Sequence, residues 1–559
     1  MDINRRDLIT IIVLSTIFFS VTTWNLGLTQ VPITNWQAKE NKTIYIELGE
    51  TANVGTIYFL VKKGSANFQI YTGSLRNWSD RGSLPISDGY YSWQEVNLNS
   101  LTQHVRIDVY LQPDQPAIEL VEIAILNSDN QQITITAITS AGAPDANYIY
   151  LFDEQDLVQL PPTYTGETIF DEVYFVRTAE QYLNFQIPFE WTHPPLGKLF
   201  IASGISIFGY NPFGWRIMGV IFATSMIPLI YILGKKLFKT WIGSFAPAFL
   251  FTFDFIHFTM ARMATVDTFV VFFSLASQLF FLIYLVDVLK NGWKTSVRPL
   301  FLAILFFAVG FSTKWLVFYG FVAQLVILTA LRFKEVVKLE KGLSHKINAF
   351  LEYPYFKIVG FLLMALLVYF LIYIPDLLAG RSVAEVLGLQ WSMFKYHGTL
   401  DATHPFSSPW WSWPLMLKPV WIYVSYLPLS MKSTIAIIGN PAVWWVGFAC
   451  IFLAVKRAMQ KKDFVCIFIT AFFFFQWLPF IFISRITFLY HFYVIVPFLY
   501  LASTHFINKY WTSKWGKIIV VSYFVGLVVL FGLFYSVISG TPASTSWIDS
   551  LKWLNGWSW

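Results

Sequence analysis

Two hydrophobic rhythms divide this chain. From Leu8 to about Leu28, and again from Phe213 to about Ile538, apolar residues run long enough without interruption to cross a bilayer. Between those regions, residues 31–147 carry short alternating runs such as KTIYIELG, GTIYFLVKKG, HVRIDVYL and IELVEIAIL, separated by Gly, Asn, Asp and Pro. A period of two with turn punctuation predicts the strands of an antiparallel β-sandwich. The later runs predict spans near 213–234, 241–257, 264–286, 298–312, 315–332, 355–374, 438–455, 464–483, 487–507 and 517–538. With the first, that makes about eleven. The 298–312 run is short and meets the next at GFSTKW, so this pair reads as a tight or broken hairpin. The expected fold is a mainly α polytopic membrane protein with an inserted β-sandwich. It has four parts: a first span (1–30), the sandwich (31–147), a connector (148–212) and a helical bundle (213–559) that contains a second long loop at 375–437.

Charge sharpens this picture. Only 13% of residues are charged, 56% are hydrophobic and the mean hydropathy is +0.54, against about 25% charged in a soluble domain. The net charge of +6 does not indicate nucleic acid, because the basic residues lie in short loops between apolar runs. Arg5 and Arg6 precede the first run. Lys235, Lys236 and Lys239, then Lys290, Lys294 and Arg298, then Arg332, Lys334, Lys338, Lys341 and Lys346, then Lys456, Arg457, Lys461 and Lys462, and finally Lys509, Lys514 and Lys517 occupy alternate loops. The positive-inside rule places these in the cytoplasm, and the sandwich, the connector and the 375–437 loop outside it. The first run has no convincing small-residue cleavage site and reads as an uncleaved span. The localisation expected is integral and multi-pass, in the plasma membrane if the host is bacterial. Two cysteines, Cys450 and Cys466, both in apolar runs, exclude a disulfide framework.

The candidate chemistry is concentrated outside. The connector contains IFDEVYFVRTAEQYLNFQIPFEWTHPPLGK, residues 169–198, with adjacent carboxylates Asp171 and Glu172, then His193 and Lys198. Acidic loop pairs are ordinarily just solvated. This pair sits among apolar residues at a membrane boundary, where a partly desolvated carboxylate gains the basicity to take a proton from a hydroxyl nucleophile. Arg262, Lys314 and Arg485 fall at predicted outer ends of spans. Each reads equally as a snorkelling side chain, but together they suit an anionic lipid headgroup. Tyr490 and His491 follow Arg485 by about one helical turn. The 375–437 loop interleaves Trp and Pro with His397, Asp401 and His404, which membrane anchoring alone does not require. An earlier LFDEQD carries a second acidic pair, Asp153 and Glu154.

These strings resemble a known family. FDEVYF, AEQYLN and EWTHPPLGKLFIASGISIFGYNPFGWRI, followed in order by MARMATVD, GFSTKW, HPFSSPWWSWPL and PFIFISRITFLYHFYVIVPF, are similar to the protein O-mannosyltransferases of GT-C fold, most closely the bacterial type. The resemblance implies a glycosyltransferase that moves a sugar, mannose above all, from a polyprenyl-phosphate donor to a protein Ser or Thr hydroxyl outside the cytoplasm, with inversion. It implies that Asp171 is the base, and that Glu172, His193 and His404 bind acceptor or donor sugar. It further implies that Lys198, Arg262, Lys314, Arg485, Tyr490 and His491 surround the donor phosphate. Only the second acidic pair precedes the His-Pro-Pro-Leu-Gly-Lys string at the family's spacing, so Asp153 is not assigned catalysis. No cofactor is implied and no metal is assigned, although Asp171, Glu172 and His193 leave room for a divalent cation. Two departures stand out. The sugar-binding-like MIR domain of eukaryotic members is absent from the later loop, and the sandwich, similar in segment order to a discoidin-like jelly roll, is inserted ahead of the motif. The alternatives are a glycolipid or cell-wall glycan acceptor, or a lipid-linked-sugar transporter or scramblase. A transporter should show helix repeats, and none is visible.

Overall fold

In the computed structural model the described residues are all except 1, 2, 75, 88, 113–116, 141–145, 341 and 352. They form two units: one of residues 1–24, 178–203 and 216–559, the other of residues 25–177 and 204–215. The boundary therefore falls inside the connector, within the helix Glu172–Leu183.

The first unit is mainly helical, with a three-stranded antiparallel sheet of Val420–Leu427, Met431–Ile437 and Ala543–Ser544. Among the described residues, eight helices are long and apolar enough to cross a membrane, or nine if Trp241–Thr252 and Phe255–Ala261, bent by 58°, form one broken span. Two of the expected spans fall short of that length. The 298–312 run forms a 14-residue helix, Arg298–Phe311. The 487–507 run opens as a 3₁₀ turn, Leu489–Phe492, before the helix Val496–Tyr510. Pro497 explains the late start, since proline is pre-organised for a first helical turn and lacks the N–H that an interior position needs.

Buried polar groups tie the helices together. Asp7, in a capping box with Asn4, accepts from Tyr231 Oη at 2.7 Å and pairs with Lys235. At the break after Thr252, Asp254 accepts from the Asn440 amide (2.8 Å), Trp444 Nε1 (2.9 Å) and Tyr500 Oη (2.7 Å). One carboxylate thus holds three segments at the point where the helix loses its own hydrogen bonds.

The second unit is the expected antiparallel β insert. Its strands are β1 Trp36–Ala38, β2 Lys42–Lys63, β3 Ala66–Ser74, β4 Asn77–Ile86, β5 Ser92–Leu111, β6 Ile118–Asn127 and β7 Ile135–Ser140. They form one hydrogen-bonded sheet, ordered β1-β6-β2-β5-β3-β4, with β7 also paired to β2. The long strands explain this continuity. β2 pairs with β7 through Ile44–Leu48 and with β6 through Val54–Lys63, and β5 accompanies it throughout, with irregularities at 47–52 and 54–56. Such bulges bend a strand, so a single strand serves both halves. The alternating residues Ile44, Ile46, Leu48, Ile57, Phe59, Val61, Phe68, Ile70, Val105, Ile107 and Val109 fill one core. Val121 is the extra residue of a bulge between the pairs Leu60–Glu122 and Val61–Leu120. Beyond it the parity reverses: Ile123 and Ile125 enter the core. Ala124 and Leu126 join a smaller cluster with Tyr58, lined by Val158 and Leu160. Glu122 shares that second face and is fully buried.

A neck closes the insert. The Leu28 amide donates to the Thr165 carbonyl (2.9 Å) and the Phe213 amide to the Leu28 carbonyl (3.2 Å). Tyr164 Oη donates to the Asn25 carbonyl (2.9 Å). The approach is close enough that a Cβ on Gly27 would lie 2.6 Å from Pro212.

Candidate active site

The acidic pair is built by the local backbone. Thr168 ties into the sheet through its amide, which donates to the Tyr91 carbonyl at 3.0 Å. Phe170 then takes φ = +51°, a left-handed conformation that costs a bulky L-residue roughly 1–2 kcal/mol. The kink starts the helix Glu172–Leu183. Glu172 Oε2 accepts the Ile169 amide at 2.9 Å, which satisfies a donor at the helix start, and Glu172 is fully buried. Asp171 remains partly exposed, and its carbonyl accepts from the Tyr174 and Phe175 amides. The two adjacent acids are therefore placed differently: Glu172 is buried in the turn it holds, and Asp171 keeps part of its surface exposed.

The second half of the connector folds around a buried ion pair. Lys198 Nζ lies 2.5 Å from Glu190 Oε2 and also donates to the carbonyls of Glu190 (3.0 Å) and His193 (2.7 Å). Glu190 Oε1 accepts the His193 amide and faces His193 Nδ1, both at 3.1 Å. The Thr178 hydroxyl accepts the Glu190 amide at 2.9 Å. Burial alone would raise the Glu190 carboxyl, but Lys198 and His193 hold it well below the usual carboxylate range.

Next to this lies a cavity of about 530 Å³. Its polar lining includes His193, Lys314, His397, Arg485 and His491, and its apolar lining is mainly aromatic, including Phe311, Trp315, Phe394, Phe480 and Phe482. The residues come from the connector, the Phe311–Val317 junction, the helix Val383–Thr399 and the irregular stretch after Trp477. Lys314 Nζ is 2.8 Å from Asp267 Oδ1 and 5.9 Å from the Tyr490 ring centre. Burial lowers the Arg485 guanidinium without bringing an arginine near neutrality. Burial also lowers His193, against the pull of Glu190. It pushes His397 down to about 3, helped by His193 and Arg485. Burial thus favours the uncharged form of both imidazoles, and the cations of the lining are Arg485 and Lys314, the latter paired with Asp267. His397 Nε2 donates to the Thr192 carbonyl at 2.7 Å. This fixes the tautomer and leaves Nδ1 a buried acceptor with no partner among the described residues.

Several expected site residues prove to have other work. Lys198 is 1% exposed and saturated by Glu190 and two carbonyls, so it shapes the loop and is not aimed at a phosphate. Arg262 donates to the carbonyls of Thr22 (2.7 Å), Trp24 (2.6 Å) and Ser539 (3.4 Å); it caps the C-terminal ends of two helices, Arg5–Thr23 and Lys514–Ser539, outside the cavity lining. His404 Nδ1 accepts the Phe406 amide at 3.2 Å, and its ring packs on Phe488, also outside the lining. Tyr490 stacks between Phe488 and His491, while His491 itself lines the cavity. The sequence reading missed Glu190 and Asp267, although both stand in the quoted strings. Each could have been found by asking which acid partners a lysine that must be buried. It also missed Asp376, which is buried and accepts from Tyr182 Oη (2.9 Å) and pairs with Arg381 (3.0 Å).

Comparison with known proteins places the chain in a family. Residues 192–350 match the family profile described as dolichyl-phosphate-mannose-protein mannosyltransferase. Residues 382–557 match the C-terminal four-transmembrane region of protein O-mannosyltransferase. The chain is 24% identical over 464 residues to a polyprenol-phosphate-mannose–protein mannosyltransferase of Mycolicibacterium smegmatis, covering 71% of this chain and 89% of that one. It is 25% identical to the protein of the same name from Mycobacterium tuberculosis, covering 71% and 87%. Its fold matches the Saccharomyces cerevisiae protein O-mannosyltransferase Pmt1–Pmt2 complex, solved with its sugar donor, at a TM-score of 0.60 and 13% identity over 70% of this chain and 89% of that chain. The two matched profiles, the mycobacterial relatives and the helical fold together make this chain a member of the protein O-mannosyltransferase family.

Proposed function

We propose that this multi-pass membrane protein transfers mannose from a polyprenyl-phosphate donor to a Ser or Thr hydroxyl of a protein acceptor, on the extracytoplasmic face. The observation that carries this reading is the cavity in which Lys314 and Arg485 meet an aromatic wall. A lipid phosphate needs both: fixed cations for its oxygens and apolar surface for the first isoprene units. Asp171 takes the proton of the acceptor hydroxyl as its oxygen attacks the anomeric carbon. The bond from that carbon to the phosphate oxygen breaks on the opposite side, so configuration inverts and the leaving lipid phosphate keeps the electron pair. Arg485 and Lys314 balance the charge that grows on the phosphate. His397 Nδ1 accepts a hydroxyl of the donor sugar. The deciding experiment incubates purified protein with polyprenyl-phosphate mannose and Ser/Thr peptides and reads the products by mass. Mannosylated peptide is expected. Mannose appearing only on added glycolipid would move the acceptor to another class. Donor crossing vesicles with no transfer to any acceptor would indicate a transporter.

Two further outcomes follow. Arg485→Ala removes a charge-assisted contact of roughly 1.5–3 kcal/mol, so the KM for the lipid donor should rise by about ten- to a hundredfold with little change in the peptide KM. An unchanged donor KM in both Arg485→Ala and Lys314→Ala would dispose of the phosphate site. The side of the membrane is tested by cysteine labelling, which has low background because Cys450 and Cys466 are buried. Ser128→Cys, at an exposed turn of the β unit, should react with an impermeant thiol reagent on intact cells. Lys461→Cys should react only after lysis, and the reverse pattern would invert the topology.

A further inference from the structure

The acidic pair that catalysis does not use has its own geometry. Carboxylate oxygens of Asp153, Glu154 and Glu122 all lie within 4.8 Å of one another. The bulge at Val121 turns Glu122 onto this face, where it is fully buried. Each carboxylate is held by one oxygen. Thr34 Oγ1, with a single proton to donate, lies 2.9 Å from Asp153 Oδ1 and 2.7 Å from Glu154 Oε2. Glu154 Oε2 also accepts the amides of Ile33 (2.7 Å) and Thr34 (2.8 Å). Gln155 Nε2 donates to Glu122 Oε1 and to the Ile123 carbonyl (2.7 Å). Burial, with the charges of Asp153 and Glu154, pushes the Glu122 carboxyl up to about 8 against the pull of Gln155 and the Glu154 amide, and its remaining oxygen, Oε2, is without a well-formed hydrogen bond among the described residues.

Like charges at this spacing repel one another, and burying one of them with an unsatisfied oxygen adds a desolvation cost. A cation removes both penalties. We propose that Glu122, Asp153 and Glu154 form a calcium-binding site on the β unit. An all-oxygen donor set with no imidazole or thiolate selects a hard cation. Oxygens up to 4.8 Å apart suit calcium, whose ligands lie at roughly 2.3–2.6 Å, better than magnesium with its shorter contacts and strict octahedron. Asp153 is exposed, which gives the ion an entry and leaves room for water to complete its shell. Thr34 and Gln155 are the outer partners that orient the ligands. The site joins β6 to the segment after β7, so calcium would fasten that segment across the second face of the sheet.

The test is equilibrium dialysis of the full-length protein in micelles against radioactive calcium, after chelator treatment. About one ion per chain is expected, with a dissociation constant on the order of 10⁻⁴–10⁻³ M. Excess magnesium should displace it poorly. Glu122→Gln should weaken binding at least about tenfold. Asp153→Asn, at an exposed position where misfolding is not a concern, should do the same, and Asp171→Asn should leave binding unchanged. The site is refuted by a chain that binds no calcium in this range, by magnesium competing equally, or by both β-unit variants binding as the parent does. Because none of these readings depends on sugar transfer, the site stands or falls separately from the proposed activity.

Discussion

Asp171→Asn should cut mannosyl transfer by about a hundred- to ten-thousandfold, the usual worth of a positioned general base, while the KM for the lipid donor stays near that of the parent. Asparagine keeps the size of the side chain and one hydrogen-bonding oxygen but cannot take a proton from the acceptor hydroxyl. Neighbouring substitutions make the test specific. Glu172→Gln retains an oxygen for the Ile169 amide, so the turn survives and the loss should be smaller. Asp153→Asn, in the earlier pair, should leave transfer within a few-fold. Steady-state rates with saturating donor and a Ser/Thr peptide distinguish these cases. Transfer close to normal by Asp171→Asn would move the base elsewhere, with Glu172 the first to examine.

The second large effect is on stability. Lys198→Met leaves Glu190 charged and buried without its partner, and breaking a buried pair in this way costs roughly 3–5 kcal/mol. Lys198→Met combined with Glu190→Gln should recover part of that loss, because neither buried charge remains. Thermal unfolding of the purified variants reads both. The pH dependence has a definite sign. Glu190 is held below its ordinary value of 4.5, so its contribution is complete above about pH 4.5 and drains away as pH falls toward its folded value. The double variant should lack this acid-side component. A Lys198→Met protein as stable as the parent would mean that the loop is held by its backbone bonds instead.

The residues explain which features were visible beforehand. Long apolar runs and strict alternation are periodic signals, and they placed both the helical bundle and the β insert. The short cases failed where a single residue overrides periodicity, as Pro497 does in delaying its helix. The cations were harder. Arg262, Lys198, Lys314 and Arg485 look alike in one dimension, each a charge near the end of an apolar run. Only the folded chain separates Arg262, bonded to the carbonyls of Thr22 and Trp24, from Arg485, which lines a cavity. Glu122 was invisible for a related reason. Alternation in IELVEIAIL gives no warning of the Val121 bulge, which changes the face on which the glutamate lies.

The neck around Leu28 bears on how such a chain could have been assembled. Residues 25–32 and 164–168 are held side by side by the Leu28–Thr165 and Tyr164–Asn25 hydrogen bonds, so whatever lies between them is a loop with both ends already anchored. The entropy of closing a loop rises only logarithmically, by about 0.6 kcal/mol for each doubling of its length. An ancestor with a short turn at this point could therefore have acquired an entire domain for a few kcal/mol, less than the domain's own core returns. The same arithmetic marks the neck as a graft point, where one module can be exchanged for another without rewriting the helices on either side.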